Sequence, residues 1–148
     1  MKTVFDKAVR DDLINRINSL NENSRAQWGK MSVYQMLKHC TLAEEMYLGK
    51  THYKRTLPGL LFGKIALKSL LKDETPMSRN APTSKHFIVT ETGGSVSAQK
   101  HLWIDLMEAY ADFSHPEIEH WFFGKMTKEQ VGLFVYKHTD HHLRQFGS

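Results

Sequence analysis

The stretch from Thr127 to Phe146, TKEQVGLFVYKHTDHHLRQF, decides the fold that we expect for this chain. Its apolar residues recur at intervals of three and four, the period of the buried face of a helix. The residues on that face are Val131, Phe134, Val135, His138, His141, His142, Gln145 and Phe146. Halfway along, hydrocarbon gives way to imidazole rings, whose nitrogens need partners once water is removed. Other imidazoles, carboxylates, water or a metal ion would serve, and a metal ion satisfies several rings at once.

The rest of the chain has helical rather than strand periodicity, so we predict an all-α fold with three further long helices. These span approximately residues 6–20, 32–48 and 95–113. Asp6 is the expected N-cap of the first helix. Ser32 and Gln35 have the spacing of a capping box at the start of the second. Thr127 and Gln130 repeat that spacing at the start of the fourth.

Each predicted helix has a face for the core. The first contributes Val9, Leu13, Ile14, Ile17 and Leu20; the second contributes Val33, Met36, Leu37, His39, Cys40, Ala43, Met46 and Tyr47; the third contributes Leu102, Leu106, Ala109, Tyr110 and Phe113. Residues 49–94 connect the second helix to the third, and a crossover of this length argues against a simple up-down-up-down bundle.

Within the crossover, the stretch from Leu60 to Lys72 is basic and amphipathic. Lys64, Lys68 and Lys72 recur every four residues beside apolar ones. This pattern is typical of a helix on a membrane surface. It is equally typical of a short extra helix that covers one end of a bundle, which is the interpretation we favour for this chain.

Composition limits the classes of protein. With 148 residues, 41% of them hydrophobic, and no apolar run near membrane-spanning length, we expect one domain over residues 1–148 and no membrane span. The first residues lack the apolar core of a signal peptide, which favours a cytoplasmic location. The net charge of +4 comes without a nucleic-acid-binding module or a dense Lys/Arg run, so we expect no nucleic-acid partner. Cys40 is the only cysteine, so any metal site would use nitrogen and oxygen ligands.

A short repeat relates two helix starts. Residues 28–32, WGKMS, resemble residues 123–127, FGKMT, as an aromatic-Gly-Lys-Met lead to a capping hydroxyl. His39 follows Ser32 by seven residues and His138 follows Thr127 by eleven. Both intervals return to nearly the same face of a helix, so the two histidine-bearing faces are able to meet.

These features together resemble the DinB-like superfamily. The resemblance covers nearly the whole chain and is carried by Trp28, Ser32, His39, His138, His142 and Gln145. Residues 115–142 are similar to a branch of that superfamily with no assigned activity. The resemblance implies a four-helix bundle of up-down-down-up order, with a divalent metal ion held by three histidines. By matching position these ligands are His39 from the second helix and His138 and His142 from the fourth.

The resemblance also implies chemistry, since characterised relatives are metal-dependent transferases and isomerases that use thiols such as bacillithiol, mycothiol or glutathione. Three imidazoles suit zinc or nickel best, with iron and manganese as further candidates, and leave a coordination position open for a substrate atom. The expected function is therefore an S-transferase or isomerase acting on a small electrophile, in which the metal lowers the pKa of water or a low-molecular-weight thiol. The alternative is a non-catalytic, metal-stabilised bundle that binds a small ligand or a protein, and a homodimer stays open.

The histidines also have simpler interpretations. His138 and His142 would be stable as buried rings held by water and carboxylates, and His39 alone would be an ordinary half-buried residue. Glu44, Asp140 and Gln145 are candidates for orienting the rings through their second nitrogens. His141 faces a neighbouring angle, from which it would replace one ligand or point to solvent, and we leave it outside the triad. Side chains for which we expect packing or no special role are Cys40, Trp28, Tyr47, His52, His86, His101, His115 and His120; the last five are expected in loops or on polar faces.

Overall fold

Five α-helices dominate the computed structural model, which describes all residues from Met1 to Ser148. They are α1 (Lys7–Ser19), α2 (Val33–Tyr47), α3 (Leu57–Leu70), α4 (Val96–Glu108) and α5 (Lys128–Gln145). Two 3₁₀ turns cover Lys85–Phe87 and Ala109–Asp112, and two strands, β1 (Glu117–His120) and β2 (Gly124–Thr127), form an antiparallel hairpin. The helical fold predicted from the sequence is therefore confirmed.

Both predicted capping boxes are present. The Ser32 hydroxyl accepts a hydrogen bond from the Gln35 backbone N–H at 3.2 Å, and the Gln35 side chain accepts one from the Ser32 N–H at 2.9 Å. Thr127 and Gln130 make the same pair of bonds at the start of α5. Each box satisfies two donors that a helix start leaves without partners.

The repeated lead-in also has a structural meaning. Gly29 and Gly124 occupy the same place in the two copies, with φ of 81° and 74°. Only glycine adopts this left-handed conformation without a steric cost. The repeat therefore turns the chain sharply before each capping residue, and it fixes where α2 and α5 begin.

Helices α1, α2, α4 and α5 pack together, and α4 contacts both α1 and α2. Lys100, in the first turns of α4, donates to the Leu20 carbonyl just after α1, so these two helices are antiparallel. Tyr34, at the start of α2, lies directly against Gly94, which precedes α4. α2 and α4 therefore run in the same direction.

The fifth helix completes this arrangement by contacting α1 and α2. Val4, just before α1, donates its N–H to the Gly132 carbonyl in the first turns of α5, so α1 and α5 are parallel. Tyr47, at the end of α2, packs edge-on against Phe134 near the start of α5, so these two helices are antiparallel. The inward rows predicted for α2 and α5 are buried, apart from a half-buried His141.

Two details of the predicted fold are wrong. The sequence does not predict the hairpin, because strands of four residues are too short to show a clear alternation. One residue of the predicted α4 face is also wrong: Leu102 is 40% exposed and Trp103 is fully buried instead, whereas Leu106, Tyr110 and Phe113 are buried as predicted. Adjacent Leu and Trp side chains leave the phase of an amphipathic helix ambiguous, and the larger ring occupies the core.

The crossover contains the extra helix that the sequence predicts, although it spans Leu57–Leu70 rather than Leu60–Lys72. This helix, α3, packs on the hairpin, where Gly59 and Gly63 lie against the backbone of Phe122. No helix in the protein combines the length and the apolar character needed to cross a membrane.

Candidate metal centre

Three buried histidines from two helices meet in the core. His39 comes from α2, and His138 and His142 come from α5; each presents a ring nitrogen, and these three nitrogens all lie within 4.8 Å of one another. Because α2 and α5 are antiparallel, the middle of one helix faces the C-terminal half of the other. The structure thus brings together the three residues that the sequence singled out.

The orientation of the His39 ring is set by the crossover. Its Nδ1 lies 2.9 Å from the carbonyl oxygen of Phe87, in the 3₁₀ turn Lys85–Phe87. A carbonyl only accepts hydrogen bonds, so Nδ1 carries the proton and Nε2 retains a lone pair. Sequence analysis missed this contact, because no side-chain pattern indicates a backbone carbonyl 48 residues away from its partner.

The His142 ring is oriented in the same way by Gln145. Its Nδ1 lies 2.9 Å from the Gln145 side-chain oxygen. The Gln145 amide nitrogen donates in turn to the Trp28 carbonyl at 2.9 Å, which fixes the direction of the amide. His142 Nδ1 is therefore the donor, and its Nε2 keeps the lone pair that a metal ion requires.

His138 is the least satisfied of the three rings. Its Nδ1 is sealed from solvent and has no hydrogen-bond partner in the protein. The ring stacks on Phe134 and meets Tyr47 edge-on, so apolar groups surround much of it. A buried polar atom without a partner is uncommon in native proteins and costs about 1–3 kcal/mol.

Burial also keeps the three rings neutral. It lowers the pKa of His142 to about 3 and the pKa of His39 below its ordinary value. Burial also lowers the pKa of His138 well below its ordinary value, and the neighbouring His142 and His39 lower it further. Neutral imidazoles are the form that binds metal ions, whereas a shared proton among these rings is disfavoured.

The other two predicted orienting residues do not reach the cluster. Asp140 pairs with Arg16 at 2.8 Å on the outer side of α5. Glu44 is fully buried on α2, where it accepts hydrogen bonds from Tyr110 at 2.5 Å and Thr139 at 3.3 Å. Of the three candidates, only Gln145 contacts a histidine of the cluster.

The prediction that His120 lies in a loop or on a polar face is wrong. His120 is buried at the end of β1, where it stacks on Phe123 and Tyr47. Its Nδ1 accepts hydrogen bonds from the backbone N–H groups of Phe122 and Phe123, each at 3.1 Å, so it closes the hairpin turn. Burial lowers its pKa to about 3.

Other side chains agree with their expected roles. His141 is half-buried outside the triad, edge-on to Trp28, and Cys40 is buried beside Met36. The four histidines that lie outside the core, as expected, are His52, His86, His101 and His115.

Access to the three rings is restricted. Between 6 and 8% of each of these residues is exposed, and the crossover lies over His39 through Phe87. Two surface cavities of about 300 and 170 Å³ lie elsewhere, and no residue of the cluster lines either of them. The three rings therefore have little exposure to solvent in this structure.

A family profile described as "Protein of unknown function (DUF1569)" matches residues 5–148. No curated protein and no solved structure matches the chain. The family match nevertheless spans all five helices and the hairpin, including every residue of the histidine cluster. The chain therefore belongs to the DUF1569 family.

Proposed function

We propose that this protein binds a divalent metal ion through His39, His138 and His142, and that it is a metal-dependent enzyme of the DinB-like type. The observation that carries the proposal is the convergence of three neutral, buried ring nitrogens within 4.8 Å. Three lone pairs facing one another without a cation between them would repel and would lack the hydrogen bonds that water gives them. A cation removes both costs.

The arrangement of the helices supports the DinB-like part of the proposal. Each of α1 and α2 contacts both α4 and α5, which gives a closed ring of four helices. In this ring α1 and α5 run one way and α2 and α4 run the other, the up-down-down-up order of that superfamily. The long crossover lies between the second and third helices of the ring, with α3 inside it.

The residues present fit a metal ion. Phe87 and Gln145 accept hydrogen bonds from Nδ1 of His39 and His142, so the lone pair of each ring lies on Nε2, on the opposite side of the ring. His138 has a sealed Nδ1 with no partner in the protein, an uncommon state for a buried polar atom. An all-imidazole set suits zinc or nickel best, and iron or manganese are further candidates.

For the reaction, we propose transfer or isomerisation involving a low-molecular-weight thiol and a small electrophile. A bound divalent ion would supply Lewis acidity, which makes a thiol or water more acidic at neutral pH. The histidines hold and orient the ion, Gln145 fixes His142, and Phe134 and Tyr47 exclude water from one side of His138. No carboxylate contacts the cluster, since Glu44 is bonded to Tyr110 and Thr139 instead.

A second candidate function rests on the burial of the cluster. Histidine rings that are only 6–8% exposed are also expected around a metal ion that only stabilises the bundle. In that case the protein binds a small ligand or a protein partner elsewhere. The two candidates share the metal site and differ in whether a substrate reaches the bound ion.

The test is a thiol-transfer assay on metal-loaded protein, with glutathione, bacillithiol or mycothiol and an aryl halide as the electrophile. Wild type is compared with His142→Ala and with His101→Ala, which changes an exposed histidine on α4. Turnover in wild type and His101→Ala but not in His142→Ala would support the enzyme. Metal binding with strong thermal stabilisation and no turnover would favour the structural role.

A further inference from the structure

The outer face of α3 is unusually apolar for an exposed surface. Five of the eight large apolar side chains that the protein exposes lie on this one helix. They are Leu57 (77% exposed), Leu60 (56%), Leu61 (72%), Phe62 (59%) and Ile65 (71%). Single exposed apolar residues are ordinary, but a contiguous group of this kind marks an interaction surface.

The glycines of α3 fix this orientation. A Cβ atom at Gly63 would lie within van der Waals overlap of the Phe122 carbonyl oxygen, and one at Gly59 would lie 2.6 Å from it. The inward face of the helix must therefore be the glycine face, because only there does the backbone approach the hairpin so closely. Rotation of α3 to bury Leu61 or Ile65 would place those side chains against the backbone of Phe122. The apolar face is thus held outward by the fold.

The segment that carries the apolar face is basic. No Asp or Glu occurs between Glu45 and Asp73, and this stretch contains Lys50, Lys54, Arg55, Lys64, Lys68 and Lys72. Only Lys72 forms an ion pair, with Asp73 at 3.8 Å; Arg55 and Lys64 donate to backbone carbonyls, which leaves their charge unbalanced. Along α3 four of the five exposed apolar residues precede Gly63, whereas Ile65 lies in the C-terminal half with the exposed Lys64 and Lys68.

We infer that α3 is a membrane-docking helix, which lays its apolar face into the interface of an anionic lipid bilayer. An exposed apolar face on a helix that carries lysines and no acidic residue matches the chemistry of an anionic lipid surface. The long lysine side chains keep their ammonium groups at the phosphate level while their methylene stems follow the apolar side chains inward. Docking places the crossover, which carries Phe87 over His39, against the membrane.

The test measures binding of the full-length protein to vesicles by co-sedimentation. Vesicles of phosphatidylcholine alone are compared with vesicles of phosphatidylcholine and phosphatidylserine. We expect binding to the anionic vesicles that is weakened by salt, and much weaker binding to the neutral ones. Equal binding to both, or binding to neither, would overturn the inference.

Two variants locate the binding face. The double variant Leu61→Ser with Ile65→Ser is expected to lower the partition coefficient of the protein between vesicles and water by about tenfold or more. The reason is that serine side chains gain little free energy when they leave water for the lipid interface. Lys68→Glu is expected to lower it by about tenfold on anionic vesicles only. Neither variant touches the core, and a circular-dichroism melt checks folding. Leu102→Ser on α4 and Lys30→Glu before α2 make the same chemical changes elsewhere, so they should leave binding nearly unchanged.

A second copy of this chain is the competing occupant of the face. Sedimentation velocity on wild type and the double variant decides this point. We expect a monomer in both, with vesicle binding in wild type. A wild-type dimer that the double variant converts to monomer, together with no vesicle binding, would overturn the membrane assignment.

Discussion

Replacement of Glu44 by glutamine is expected to stabilise the protein at alkaline pH and to leave it nearly unchanged in acid. Glu44 is fully buried between α2, α4 and α5, and its pKa rises from 4.5 to about 7 because burial penalises its charge. Its hydrogen bonds from Tyr110 and Thr139 recover part of that penalty. In the variant Glu44→Gln, the side-chain amide would keep an acceptor for Tyr110 and would never ionise.

The size of the effect follows from proton linkage. A carboxyl group whose pKa is raised by folding stabilises the native state below pH 4.5, and this contribution is lost as the pH rises toward 7. A shift of this size corresponds to a loss of about 2–3 kcal/mol in the free energy of unfolding between about pH 5 and pH 8. Glu44→Gln removes the loss, so the stability difference between variant and wild type should grow by that amount over the same range.

The assay is urea unfolding of metal-free protein at both pH values, followed by circular dichroism. The variant midpoint should exceed the wild-type midpoint by about 1 M more urea at the higher pH than at the lower one. Asp140→Asn, which changes a partly exposed carboxylate paired with Arg16, serves as the control and should show no comparable growth. A Glu44→Gln effect that is the same at both pH values would refute the assignment of a buried, neutral carboxyl group.

Three further predictions concern single contacts. Gln145→Leu removes the acceptor of His142 Nδ1 and should weaken metal binding about 10- to 100-fold in a chelator competition, with an unchanged metal stoichiometry. An unchanged affinity for the metal would contradict the orienting role of Gln145. Gly63→Ala places a Cβ against the Phe122 carbonyl, so it should destabilise the protein by about 1–3 kcal/mol and lower its melting temperature. In the control Gly93→Ala the new Cβ meets no atom within 4 Å, so the melting temperature should stay unchanged. Equal melting temperatures for the two variants would argue against the close packing of α3. His120→Leu leaves two backbone N–H groups of the hairpin turn without an acceptor. It should lower the free energy of unfolding in urea by about 1–3 kcal/mol and leave metal binding unchanged. Loss of metal would place His120 in the site.

The features that sequence predicts best depend on local rules. Ser32 and Thr127 cap α2 and α5 as expected, because a capping box is complete within four residues. The sequence also predicts the meeting of His39 with His138 and His142, since the period of each helix fixes its buried face and the resemblance pairs the two faces. The metal itself stays a prediction.

The features that sequence misses depend on contacts between distant segments. The Phe87 carbonyl bonds His39 across 48 residues, and a backbone atom leaves no trace in residue type. His120 becomes buried only because a four-residue strand pairs with its neighbour and places it under Tyr47. The sequence also does not predict that the apolar face of α3 points outward. Its pattern fits a helix with that face toward the core or toward solvent, and the contact of Gly63 with Phe122 selects the second.

The central claim is a metal ion at His39, His138 and His142, and elemental analysis tests it most directly. Protein purified without an affinity tag is analysed after incubation with zinc, nickel, manganese or iron and removal of the excess, for wild type, His142→Ala and the exposed-site control His101→Ala. We predict about one metal ion per chain in wild type and His101→Ala, and loss of the ion in His142→Ala. Wild type that stays metal-free with all four metals, or His142→Ala that keeps its ion, would contradict the account.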